Sequence, residues 1–233
     1  LDIDTILKHF PPDGPQQPDG NPVRVTDDTQ MALAVGDALI AAPKPYSSES
    51  LSRELTRTFI DWYNDPDNDR APGATCLVAC EQLLDGKHWL QASQINSKGC
   101  GANMRVMPVG LLDVDPPTRA GIAQLQAAIT HGHPTGLAAS DLTAFVIADL
   151  AHGGKPDGLP HRIRQYALSQ HSIYHDQWLG DLWQRAAMTN SPQEFIERGW
   201  DECLSALDRL YKALEKMDRQ TDPCLLTGAG WIA

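Results

Sequence analysis

Positive charge is scarce in this 233-residue chain: 19 Lys and Arg stand against 30 Asp and Glu, a formal net charge of −11. That deficit excludes non-specific binding to nucleic acid or to an anionic membrane surface, which needs Lys and Arg to neutralise phosphates. A specific phosphate-bearing ligand stays open, because backbone N–H groups hold such a group without net positive charge. Cysteine is sparse as well. Cys76, Cys80, Cys100, Cys203 and Cys224 are odd in number, scattered, and form no CxxC pair. This argues against a disulfide framework and for a reducing compartment. No charged segment leads into an apolar stretch of signal-peptide type, and no apolar run nears the ~20 residues that span a bilayer. These absences predict a soluble, cytoplasmic protein with no membrane partner.

Period-2 alternation is nearly missing too, so strands are not expected. Met104–Leu112 is apolar but interrupted by Arg105, Pro108 and Gly110. Helical periodicity fills the chain instead. Met31, Ala34, Val35, Ala38 and Leu39 form one stripe, and Leu51, Leu55, Phe59 and Trp62 a second. Further stripes run through Leu77, Cys80, Leu83 and Leu84, through Ile122, Leu125 and Ile129, and through Leu142, Phe145, Val146 and Leu150. Ser191-Pro-Gln-Glu194 reads as a helix start, with Ser191 as cap, Pro192 in the first turn and Glu194 closing a capping box. Residues 11–22, rich in Pro and Gly, read as a loop. With no repeat and no shift in composition, residues 1–233 are expected to form a single all-α domain.

Three strings have the residue types for chemistry. Thr26-Asp27-Asp28 precedes the Met31 stripe. It reads either as a helix cap or as a set of oxygen ligands for a hard cation such as Mg²⁺ or Mn²⁺. Gly99-Cys100-Gly101-Ala102-Asn103 reads either as a plain loop or as a backbone concavity for an anion, with glycines admitting close approach of a ligand. It is not a GxGxxG or P-loop pattern. Thr130-His131-Gly-His133-Pro134 closes a predicted helix, and two histidines alone are thin evidence for a metal. His171 and His175 fall on one helical face and read as surface, while Cys76 and Cys80 read as core. Trp62, Trp178, Trp183 and Trp200 read as packing residues.

In this order the strings resemble the ADP-ribosylglycohydrolase family, relatives of the dinitrogenase-reductase-activating glycohydrolase. The likeness lies in Thr26–Ala34, Gly99–Leu111, Thr130–Ala138 and Gly228-Ala-Gly-Trp-Ile-Ala233. It implies a compact orthogonal multi-helix domain carrying two Mg²⁺ or Mn²⁺ ions. The implied activity removes ADP-ribose from a modified protein or small molecule at the anomeric carbon of the distal ribose. Carried over, Thr26, Asp27 and Asp28 match the first metal-binding motif, with Asp27 or Asp28 as the base. Gly99, Cys100, Gly101, Ala102 and Asn103 match the loop that cradles ADP-ribose, and His131 the histidine near the distal ribose. Two family segments find no match: an N-terminal Gly-Asp-Ala-Leu-Gly helix and a C-terminal Gly-Gly-Asp-(Thr/Ser)-Asp block. The domain is therefore expected to be incomplete at both ends. Those mismatches leave an alternative, a non-catalytic ADP-ribose-binding or structural protein on the same helical fold.

Overall fold

A computed structural model describes residues 3–12, 14–16 and 22–216. The helices in chain order are α1 (Ile3–His9), α2 (Asp27–Ala41), α3 (Ser48–Tyr63), α4 (Ala74–Leu84) and the short α5 (Trp89–Ala92) and α6 (Met107–Gly110). They continue with α7 (Pro116–Ala128), α8 (Pro134–Ala151), α9 (Leu159–Gln170), the short α10 (Asp176–Leu179) and α11 (Pro192–Lys216). No strand occurs among the described residues. None of their helices is long and apolar enough to cross a membrane. The Gly228–Ala233 block and Cys224 lie outside the described residues.

The centre is α7, in which every residue from Ala120 to Ala128 is buried. α8 packs on it and in turn carries α11, while α2 and α3 pair beside them. Closeness depends on small residues. A Cβ on Gly121 would stand 2.0 Å from the Trp178 ring, so only glycine lets α10 lie on α7. A helix wrapped on all sides must also pair its polar groups, since an unmatched one costs about 1–3 kcal/mol. Gln124 donates to Asp141 Oδ2 at 3.0 Å, and Gln126 donates to the Ala102 carbonyl at 3.0 Å.

The α2 and α3 stripes are buried as the periodicity predicts, and so are Ile122, Leu125 and Ile129. Two stripes are corrected. On α4 the buried face is Cys76, Ala79, Cys80 and Leu83, with Leu84 exposed. On α8 it is Leu137, Ala138, Ser140, Asp141, Ala144 and Ala148, leaving Leu142, Phe145 and Val146 half-buried and Leu150 exposed. Small side chains mark the packed side there because α7 and α11 approach closely. Cys76 and Cys80 are fully buried, and burial pushes the Cys80 thiol up to about 12. Trp62, Trp178 and Trp200 are buried and Trp183 half-buried.

The capping box at α11 forms with one change. Glu194 N–H donates to Ser191 Oγ at 3.1 Å, but the Glu194 carboxylate reaches back to Asn190 N–H at 2.9 Å rather than to Ser191. The His171/His175 pair is also corrected. α9 ends at Gln170, so the two do not share a helix, and His175 is buried at the start of α10.

Candidate active site

Asp27 is the first residue of α2, and the loop before α4 pins that end. Asp27 N–H donates to the Arg70 carbonyl at 3.3 Å, and Arg70 Nη1 donates to the Val25 carbonyl at 3.1 Å. Thr26 occupies the capping position but its side chain caps nothing. Its hydroxyl donates to Asp28 Oδ2 at 2.7 Å instead. Asp27 is buried and Asp28 exposed. Burial and the neighbouring Asp28 charge raise the Asp27 pKa, partly offset by hydrogen bonding from the Gly73 backbone.

These donors suit a hard divalent cation. All three are oxygens, the carboxylates are adjacent, and neither has an ion pair among the described residues. Charge repulsion on Asp27 is the condition that a cation relieves. The described residues bring no cluster of three or more His, Cys, Asp or Glu that could hold a metal.

The glycine segment forms a short 3-10 turn, Cys100–Ala102, with Gly99 before it. The first amides of such a turn, Cys100 and Gly101, are not used within it. Neither Gly99 nor Gly101 has a positive φ; at Gly101 close packing on the protein side is what requires glycine. A Cβ on Gly101 would lie 2.9 Å from His131 Cε1 and 3.0 Å from Cys76 Sγ.

His131 is buried directly beneath that turn, and burial with the Arg105 charge pushes its pKa down to about 3. His133 diverges from it. Its Nδ1 accepts from Thr135 N–H at 3.2 Å and so caps α8. A shared metal on the His-x-His pair is therefore not built. Cys76 joins the parts. Burial raises its thiol, Arg105 opposes, and the nearby Asp27 charge adds to the rise. Gly101 rests on its sulfur.

Three residues escaped the sequence-based assignment of roles. Arg105 is fully buried with no carboxylate against it among the described residues, its guanidinium carbon 4.3 Å from the Phe59 ring centroid. Thr130 lies between Arg105 and His131. Glu202 of α11 pairs with Lys98, next to Gly99. Arg105 and Thr130 sit inside quoted motifs without a role assigned to them, and neither spacing nor residue type distinguishes Glu202. Beside the loop an open cleft of about 490 Å³ is lined by Thr75, Ser93, Gln94, Ser97 and Arg185. That volume is in the range small ligands occupy.

The family model of ADP-ribosylglycohydrolase matches residues 1–233. The chain belongs to the ADP-ribosylglycohydrolase family. Over 126 residues it is 28% identical to an uncharacterised protein of Archaeoglobus fulgidus, covering 53% of this chain and 38% of that protein. Over 141 residues it is 29% identical to the uncharacterised protein YegU of Escherichia coli K12, covering 57% of this chain and 40% of YegU. The chain thus spans about two-fifths of the length of these curated relatives.

Proposed function

We propose that the chain carries the core of a metal-dependent hydrolase that removes ADP-ribose from a modified protein or small molecule. The observation that supports this is that the glycine turn and Arg105 meet at Cys76, with His131 packed against the same turn. In this reading the Cys100 and Gly101 amides hold the diphosphate, which reconciles an acidic protein with an anionic substrate. The adjoining cleft, lined by both polar and apolar side chains, takes the nucleoside end. Thr26, Asp27 and Asp28 hold a divalent cation, two being expected for the complete site. Bound there, Mg²⁺ or Mn²⁺ would grip ribose hydroxyls and acidify a water. Departure from the anomeric carbon builds oxocarbenium-like charge. The Asp27 or Asp28 carboxylate oxygen left free of the cation accepts the attacking water's proton and passes it to the departing group, which leaves with the bonding pair.

The test is release of free ADP-ribose from arginine-, serine- or base-linked conjugates by the 233-residue chain with Mg²⁺ or Mn²⁺. Release that disappears in D27N and D28N supports the reading. ADP-ribose binding with no release from any conjugate favours the reader alternative and overturns the hydrolase.

A further inference from the structure

A single hydroxyl connects the buried cation to the histidine under the loop, and its hydrogen-bond directions are forced. Arg105 only donates. Its Nη2 donates to the Gln126 carbonyl at 2.7 Å and to Thr130 Oγ1 at 2.8 Å, which uses both hydrogens. Thr130 is fully buried, and its hydroxyl has two partners among the described residues: Arg105 Nη2 and His131 Nδ1, the latter at 2.8 Å. The hydroxyl's one proton cannot go to arginine. Its acceptor is therefore Nδ1, which must carry no proton itself. A proton on Nδ1 would leave the Thr130 hydrogen buried without an acceptor, which is costly in a dry interior.

We infer that Arg105 and Thr130 are positioning residues that fix His131 in its neutral tautomer with the proton on Nε2. That nitrogen faces the glycine turn. A Cβ would lie 3.4 Å from it at Gly99 and 3.1 Å at Gly101. His131 thus presents a standing N–H donor to an acceptor oxygen held by the loop and is not a proton acceptor there. The depressed pKa of the ring agrees with this. The tautomer rests on hydrogen-bond directions alone. Its use toward an oxygen of ADP-ribose rests on the function proposed above.

The experiment is long-range ¹H–¹⁵N spectroscopy of the ¹⁵N-labelled chain at neutral pH, with His131 signals identified by their loss in H131Q. Wild type and T130S are expected to show an unprotonated Nδ1 and a protonated Nε2. T130V is expected to show a tautomer mixture. By calorimetry ADP-ribose should bind T130V about tenfold more weakly than wild type, with T130S restoring affinity. A wild-type His131 protonated on Nδ1, or on both nitrogens, overturns the inference. So does a T130V spectrum identical to wild type. If T130V fails to fold, the wild-type and T130S spectra still decide. A wild type with the expected tautomer that does not bind ADP-ribose overturns the ligand reading and leaves the tautomer standing.

Discussion

Thr135 Oγ1 donates to Glu202 Oε2 at 2.6 Å, tying the first turn of α8 to the middle of α11. The other oxygen of Glu202 takes Lys98, the residue before Gly99. One carboxylate thereby fastens the glycine turn to two helices. Burial pulls the Glu202 pKa up, but the Lys98 and Thr135 hydrogen bonds and the Lys98 charge leave it below its ordinary 4.5. A depressed carboxylate stabilises above its unfolded value, and that contribution is lost as pH falls through the folded one. E202A should therefore cost about 1 kcal/mol in urea unfolding at pH 7, given its partial exposure. The difference from wild type should vanish in acid, below the folded pKa.

Asp141 behaves oppositely. Burial raises its pKa to about 6, although Tyr166 and Gln124 donate to it. The folded state then binds a proton that the unfolded state has released. Stability should fall as pH rises from about 4 to about 6 and level off above. At neutral pH the charged carboxylate costs up to about 3 kcal/mol. D141N should flatten that slope and match or exceed wild type at pH 7. Gln124 makes this feasible: its carbonyl oxygen has no partner among the described residues, so a flipped amide can accept from the new Asn. Denaturation series at several pH values provide the check.

Asp27 and Asp28 predict a metal effect that needs no substrate. Saturating Mn²⁺ at a hundred times Kd should stabilise wild type by about 2.7 kcal/mol, read as a higher Tm. In D27N and D28N the same addition should leave Tm unchanged. An equal rise in all three proteins would remove both residues from the ligand set.

G101A tests why the loop is glycine. Its methyl would press on His131 and Cys76, where no flexible chain end can yield. Overpacking of this kind costs about 1–3 kcal/mol. Thermal unfolding should show that loss without any ligand, and ADP-ribose binding should weaken because the turn has lifted. G86A meets no atom within 4 Å but sits at φ +84°, so it should lose stability through backbone strain alone and keep ligand binding.

The legible parts were those governed by local pattern. α3 carries large side chains on one face, and its stripe marks the core directly, while the α2 stripe is legible from its helical spacing although Leu33 and Ile40 lie exposed off it. α8 misleads because its packed face is Ala, Ser and Asp, which a search for large apolar residues passes over. His133 was separable from His131 in principle, since Pro134 marks a first helical turn and makes the preceding residue a cap. Glu202 was not. It meets Lys98 across 104 positions of sequence, and nothing in either neighbourhood announces the other. Thr130 likewise gains its meaning only when Arg105 arrives from a separate segment.

Arg105 also sets a condition on how the chain assembles. Its guanidinium touches Met31 of α2, the Phe59 ring of α3, Cys76 of α4 and Gln126 of α7. While any of these helices is absent, the cation keeps water; once all four have closed, it has lost it. With no carboxylate beside it among the described residues, the closed state relies on the Gln126 and Thr130 oxygens to replace that water. One buried cation is thus shared by α2, α3, α4 and α7, and loosening any of the four readmits water to it.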